Sequence, residues 1–232
     1  NKDDLNYDSL FIYYDNDYIS NESEFFLHFT GKKMIQYYYV FLQKNFIDNY
    51  KYIFILDNDN WITGKQISNL FKIADKLNAN LLSPSIRIRN IDHSKVKKLM
   101  NFYYNSNIIN KDFWFFKKYL PDDLKLVYDH VMKYSFWPQM IQMRNLEDKF
   151  IKQTNLVEDG RYIINMDLIK KFRSNKPFMK LFKSGILFDN VLANYSNFNK
   201  IYIVDFIYYI HLSPYKDKDN ELHLLDHDPE TL

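Results

Sequence analysis

The chain contains no cysteine and only four glycines among its 232 residues. The lack of cysteine excludes disulfide bonds, thiolate catalysis and zinc–thiolate sites, and it favours an intracellular location, whether cytoplasmic, secretory or viral. No apolar run approaches the ~20 residues that a membrane-spanning helix needs, so we expect no transmembrane segment in this chain. Its 31 basic residues nearly balance its 29 acidic ones, and this even charge argues against a nucleic-acid partner.

Apolar residues are abundant by contrast: 47% of the chain is hydrophobic and 19% is aromatic, enough to build a sizeable core. Periodicity and turn residues predict an alternation of strands and helices, with Thr63 as the N-cap of one helix. The predicted strands are residues 9–14, 52–56, 80–83, 155–164 and 201–210, the last being one long strand or two short ones around Asp205. The predicted helices are residues 33–48, 64–77, 94–104, 111–119, 122–134, 167–172 and 187–195.

The order strand, helix, strand, helix, strand at the start of the chain is typical of an α/β fold. It predicts a Rossmann-like sheet, mixed but mostly parallel, that is flanked by helices. Residues 92–150 break this rhythm and are interpreted as a helical insertion, rich in aromatic side chains. We therefore expect a single domain over residues 1–214, followed by a charged tail over residues 215–232.

Two predicted strands end in the same triplet, Asp-Asn-Asp, at residues 15–17 and 57–59. Open α/β sheets bind ligands beyond the carboxyl ends of their strands. Asp57 and Asp59 follow an apolar central strand, where a hard cation such as Mg²⁺ or Mn²⁺ would neutralise the paired carboxylates. The alternative is a plain strand-end turn, in which Asp side chains bond to nearby backbone amides. A polar stretch follows the first triplet and favours the turn there.

Two later residues have the right chemistry to join such a site. His211 follows the last long apolar segment, so its side chain would emerge at the same edge of the sheet. Asp189 lies near the start of a predicted helix, where an acid either stabilises the helix dipole or acts as a general base. The tail offers further ligand types in HLLDHD (residues 223–228), which we interpret as a solvated segment.

These segments, taken together and in this order, resemble glycosyltransferases of the GT-A type. More narrowly, they are similar to a little-characterised family of predicted glycosyltransferases from plants and bacteria. The family has a strand ending in Tyr-Asp, an Asp-x-Asp after "YDYIF", a Gly-Trp-Gly-(Leu/Met)-Asp motif and a late Val-x-His motif. The matching segments here are SLFIYYDN, GKKMIQYYYVF, YKYIFILDND, LNANLLSPSI, LVEDGRYIIN, GILFD and IVDFIYYIH.

The resemblance implies an enzyme of glycan biosynthesis that moves a sugar from a UDP- or GDP-sugar to a hydroxyl of a glycan or protein. It implies that Asp57, Asp59 and His211 hold Mn²⁺ or Mg²⁺. The donor would be bound by Asp57 and Asn58, by Lys32 and Lys33 near its phosphates, and by Asp15 near its base or ribose.

For catalysis, the resemblance implies an inverting displacement with Asp189 as the base and Glu158 as the second candidate for that role. The sequence departs from the family pattern before Asp189, where the Trp and the second Gly are absent. The family's first strand also precedes the segment that matches residue 9. We therefore expect a further segment, domain or second chain to complete the donor pocket.

Two other classes of function stay open. The first is a non-catalytic GT-A-like domain that binds or scaffolds within a larger glycosylation protein. The second is a metal-dependent phosphodiesterase or nucleotidyltransferase, which would hold two metal ions about 4 Å apart. The glycosyltransferase interpretation predicts one metal ion.

Overall fold

The architecture is taken from a computed structural model of the chain. The structure describes residues 5–13, 23–29, 33–57, 60–87, 93–105, 117–134, 151–154, 157, 161–175, 188–211, 215–216 and 222–223.

A six-stranded mixed sheet forms the centre of the fold, in the order β3-β7-β5-β8-β4, with β6 also paired to β8. Its strands are β3 (Tyr52–Leu56), β4 (Asn60–Trp61), β5 (Leu81–Arg87), β6 (Ile151–Gln153), β7 (Arg161–Asn165) and β8 (Ile201–His211). Helices pack on both faces, so the predicted α/β class with a mixed, helix-flanked sheet is confirmed.

The prediction of a mostly parallel sheet is wrong for the described strands. Strands β5 and β8 pair in parallel over the longest register, whereas the other pairings in this sheet are antiparallel. Strands β3 and β5 do point the same way, but β7 lies between them and runs in the opposite direction. The crossover through the intervening helix therefore skips one strand position.

The helices begin and end close to the predicted residues. Thr63 caps its helix as predicted: its hydroxyl accepts from the amide of Gln66, and the Gln66 side chain bonds back to Thr63. The predicted helix over residues 33–48 is broken at Gln43. The helices are α1 (Lys33–Leu42), α2 (Lys44–Ile47), α3 (Gly64–Leu77), α4 (His93–Asn105), α5 (Asp122–Tyr134), α6 (Met166–Ser174) and α7 (Phe188–Tyr195), with a 3₁₀ turn at Lys117–Tyr119.

Strand β5 continues through Pro84, although the sequence predicts that the strand ends before this proline. Proline is tolerated in a sheet where the ladder is interrupted. Strand β7 pairs with β5 at Leu81 and Leu82, and the register with β8 shifts between Pro84 and Ser85. Pro84 therefore occupies the irregular point of the ladder, where its missing N–H disturbs little.

Strand β8 carries the other half of that irregularity. Pro84 pairs with Val204 and Ser85 pairs with Tyr208, so residues 205–207 lie between two consecutive pairs. The hydroxyl of Ser85 lies 3.1 and 3.3 Å from the carbonyl oxygens of Asp205 and Ile207, and its single proton is shared between these two acceptors. Extra residues on one strand bend it and increase its twist.

Two apolar clusters cover the faces of the sheet. On the first face, α1, α6 and α7 pack with the alternate residues Ile53 and Ile55 of β3; its fully buried members include Phe41, Tyr162, Ile164, Ile169, Phe172, Leu192 and Ile201. On the second face, α3 packs with Tyr52 and Phe54; this cluster includes Leu70, Ala74, Leu82, Ile163 and Val204. Strand β3 is thus covered on both sides, as its apolar run predicts.

The predicted first strand exists but does not join this sheet. Strand β1 (Leu10–Tyr13) pairs in parallel with β2 (Phe25–His28) in a separate two-stranded sheet. Leu10 and Ile12 pack against the first apolar cluster, which explains the apolar pattern of β1. A local pattern shows that a strand has an apolar face but not which strand it pairs with.

Within residues 92–150, the described segments are helical as predicted, and α4 packs against α5. The predicted helix over residues 111–119 lies outside the described residues except for its last three. In the tail, β9 (Tyr215–Lys216) and β10 (Leu222–His223) pair antiparallel. Among the described helices, none combines the length and the apolar character needed to cross a bilayer.

Candidate functional site

The second Asp-Asn-Asp triplet begins a tight turn at the carboxyl end of β3. The backbone amide of Asn60 donates to the carbonyl of Asp57 at 3.2 Å, and the Asn60 side chain amide donates to the same carbonyl at 3.3 Å. The turn therefore spans four residues, and its inner two, Asn58 and Asp59, lie outside the described residues. The predicted strand-end turn is therefore present, and its role in ligand binding stays a prediction.

A tyrosine from a distant helix fixes the first carboxylate of this turn. The hydroxyl of Tyr37 on α1 donates to Oδ1 of Asp57 at 2.9 Å. Tyr37 is only 9% exposed, so its ring is held by the first apolar cluster. A carboxylate that is oriented by a buried hydrogen-bond donor is typical of metal-binding sites, where such donors set the position of the ligand.

The backbone of His211 lies beside the other end of the turn. Strand β4 pairs antiparallel with β8, and Asn60 is opposite His211 in this register. In the strand order, β3 and β4 stand at opposite ends, about 19 Å apart in a flat sheet at the usual spacing. Because Asn60 nevertheless bonds to Asp57, β3 and β4 come close together at this end, so the sheet is not flat there.

Arg161 is a residue of this region that sequence reasoning missed. It is 5% exposed, and its Nε donates to Oδ1 of Asn60 at 3.0 Å. Its guanidinium also lies 5.4 Å from the centre of the Tyr209 ring, and its carbonyl accepts from the hydroxyl of Ser83. One signal was present: only five of the 31 basic residues are arginine, and this one opens an apolar strand.

The donor set at this end of the sheet suits a hard divalent cation. Asp57 offers carboxylate oxygens, and the sequence places Asp59 in the same turn and His211 on the adjacent strand, all without thiolates. Within the described residues no three acidic or histidine side chains converge on one point. Asp59 and the side chain of His211 are outside that description.

The predicted base, Asp189, lies in the first turn of α7, so the expected helix start is confirmed. The residues after α7 bond to Asn80 at the amino end of β5, through the carbonyls of Asn199 and Lys200. The first turn of α7 therefore lies toward the carboxyl end of the sheet, the end that carries Asp57. Helix α7 packs in the same apolar cluster as Tyr37.

The remaining predicted site residues stay untested. Lys33 is the first residue of α1, and only its backbone is described. Asp15, Lys32, Asn58, Asp59 and Glu158 lie outside the described residues. Of the tail residues with ligand chemistry, His223 is in β10 and the others lie outside the description.

No protein-family model matches the chain, and no curated protein matches it in sequence.

Proposed function

We propose that the protein is a metal-dependent glycosyltransferase that moves a sugar from a UDP- or GDP-sugar to a hydroxyl acceptor. The observation that carries this proposal is the pairing of Asn60 with His211, beside the turn that begins at Asp57. Two ligand types that are about 150 residues apart in sequence thereby come to one edge of a mixed α/β sheet. Ligand sites of open α/β sheets lie at this edge.

In this proposal Asp57, Asp59 and His211 would hold one Mn²⁺ or Mg²⁺. The ion would supply charge stabilisation for the departing nucleoside diphosphate. Tyr37 keeps the Asp57 carboxylate in one orientation, so little reorganisation is needed when the donor binds. Lys32 and Lys33, before and at the start of α1, would neutralise donor phosphates, and Asn58 and Asp15 would contact the rest of the nucleotide.

The acceptor step is assigned to Asp189, with Glu158 as the second candidate. The acceptor oxygen attacks the anomeric carbon of the sugar, and the bond from that carbon to the diphosphate breaks. The hydroxyl proton passes to the carboxylate of the base, and the configuration at the anomeric carbon inverts. A carboxylate in the first turn of a helix is stabilised in its charged, proton-accepting form.

A screen of sugar-nucleotide hydrolysis with Mn²⁺ tests the proposal. The wild-type protein should hydrolyse at least one UDP- or GDP-sugar, and Asp59→Ala should lower kcat/KM at least about 100-fold, the effect of losing several kcal/mol of charge stabilisation. Asp75→Ala is the matched control, because Asp75 is an exposed aspartate that pairs with Lys51 near the amino end of β3. Hydrolysis that is equal in the two variants would place the site elsewhere.

The second candidate is a non-catalytic GT-A-like domain that binds within a larger glycosylation protein. It is favoured by Ile186, Leu187 and Phe188, which stand where the related family has its Trp-Gly segment before the acid. Such a domain would bind a nucleotide with Mn²⁺ but leave every sugar nucleotide intact in the same screen.

A further inference from the structure

We infer that Arg161 is a positioning residue of the metal site, which holds the turn from Asp57 to Asn60 and the end of β8 in register. This inference rests on the proposed function, since it assigns a role within the same site. From one buried position, Arg161 contacts both the turn and the end of β8. It bonds to Asn60, the last residue of the turn, and it lies over Tyr209, two residues before His211.

The position of Arg161 follows from the strand register. It opens β7 opposite Leu56, the last residue of β3, so its backbone stands next to the start of the turn. The hydroxyl of Ser83 on β5 lies 3.0 Å from the Arg161 carbonyl oxygen and 2.9 Å from that of Pro84, and its single proton is available to either. The side chain of Arg161 then reaches Asn60 on β4, which is paired with β8. Arg161 thus links β7, which is the neighbour of β3, with β4 at the other end of the strand order.

Asn60 connects Arg161 to both proposed ligands, Asp57 and His211. Asn60 donates twice to the Asp57 carbonyl, so a shift of Asn60 moves the backbone that carries Asp57. Asn60 is also opposite His211 in the ladder. A planar guanidinium on a rigid strand suits this task, because its donors have fixed directions and it stacks on aromatic rings.

The charge of Arg161 makes the direction of the change in Mn²⁺ affinity informative when this residue is removed. Removing a buried cation from the neighbourhood of a cation site should, by Coulomb's law alone, tighten metal binding. Removing a residue that positions the ligands should weaken it, as loss of groups that orient metal ligands does, by 10- to 100-fold. The direction of the change in Mn²⁺ affinity therefore separates the two roles.

The test is Mn²⁺ affinity, measured by electron paramagnetic resonance of the free ion in the full chain. Arg161→Met should weaken Mn²⁺ binding about 10- to 100-fold relative to wild type. Arg173→Met is the matched control: the side chain of Arg173 is only 6% exposed and bonds twice to Asp48, before the amino end of β3. That variant should lose stability while it keeps wild-type Mn²⁺ affinity within about twofold, a margin far below the effect of a positioning residue.

Asn60→Ala provides the second variant, for use if Arg161→Met does not fold. It should weaken Mn²⁺ binding in the same direction, and the double variant should be no weaker than the poorer single one, since both remove one link. Unchanged or tighter binding in these variants would overturn the inference. If Asp57→Asn abolishes binding while Arg161→Met preserves it, only the inference fails; if the wild-type protein binds no Mn²⁺, the proposed function fails with it.

Discussion

The hydroxyl of Tyr37 lies 2.9 Å from Oδ1 of Asp57 and donates a hydrogen bond to it, joining helix α1 to the end of strand β3. Tyr37 belongs to the first apolar cluster, and so does Ile55, which lies two residues before Asp57. The carboxylate is therefore oriented by the folded core and not by the turn alone. The orientation of Asp57, the first proposed metal ligand, therefore depends on Tyr37, which would not itself contact the metal.

Tyr37→Phe should lower Mn²⁺ affinity about 10-fold, because the Asp57 carboxylate loses the donor that orients it. It should also lower the free energy of unfolding by about 1.5 kcal/mol, the range for a hydrogen bond to a charged acceptor. Denaturant unfolding and a Mn²⁺ titration measure the two effects.

Tyr52→Phe is the control for that experiment. Tyr52 is as buried as Tyr37 and donates to the carbonyl of Ala74 at 3.0 Å, on the other face of the sheet. Its loss should destabilise the protein by about 1 kcal/mol and leave Mn²⁺ affinity unchanged. Equal Mn²⁺ affinity in the two variants would show that Tyr37 does not orient a metal ligand.

The stability of the protein should depend on a buried ion pair at the irregular stretch of β8. Nζ of Lys152 on β6 lies 2.7 Å from the fully buried carboxylate of Asp205. Lys152→Met should lower the free energy of unfolding by about 3 kcal/mol, because it removes a cation from a buried carboxylate. The comparison is Lys117→Met, which breaks an equally short but half-exposed pair with Asp129 and should cost less than about 1 kcal/mol.

The double variant Lys152→Met with Asp205→Asn should recover much of the lost stability, since it leaves no buried charge behind. Thermal or denaturant unfolding of the four proteins decides the matter. A similar loss for Lys152→Met and Lys117→Met would mean that the buried pair contributes no more than a surface pair does.

Tyr50 gives the folded protein a pH dependence at high pH. Its hydroxyl donates to the carboxylate of Asp8, and this hydrogen bond, together with burial and the nearby negative charge, raises the pKa of Tyr50 to about 12. The folded state holds the proton more tightly than the unfolded chain, whose tyrosines titrate near pH 10. The stabilisation from Tyr50 is therefore complete below about pH 10 and is lost as the pH rises to about 12.

Ultraviolet absorbance of tyrosinate measures this shift, as the difference between the titrations of wild type and Tyr50→Phe. The difference curve should have its midpoint near pH 12, and Asp8→Ala should move that midpoint down toward 10. A midpoint near 10 in the wild-type protein would contradict the hydrogen bond to Asp8.

Features that depend on a few neighbouring residues could be predicted from the sequence. The capping box of Thr63 and Gln66, the apolar strand before Asp57 and the helix start near Asp189 all follow from local spacing and chemistry. Each of them needs only the residues within one or two turns of the chain. The turn after β3 was predicted for the same reason, although its hydrogen bonds were not.

Features that depend on pairing between distant residues could not be predicted. The insertion of β7 between β3 and β5 is set by contacts such as Tyr52 with Asn165, which no local pattern encodes. The burial of Arg161 is decided by Asn60, 101 residues earlier in the chain, and by Tyr209. An arginine is ordinarily solvent-exposed, so the scarcity of arginine in this sequence draws attention to Arg161, but only the fold shows its buried contacts.

The most direct test of the proposed function is calorimetric titration of the wild-type protein with UDP and with GDP, each with and without Mn²⁺. We predict that at least one nucleotide binds in the presence of Mn²⁺, that binding is lost without the ion, and that Asp57→Asn abolishes it. Failure of both nucleotides to bind in the presence of Mn²⁺, or binding that is indifferent to the ion and to Asp57, would contradict the assignment of a metal–nucleotide site to this turn.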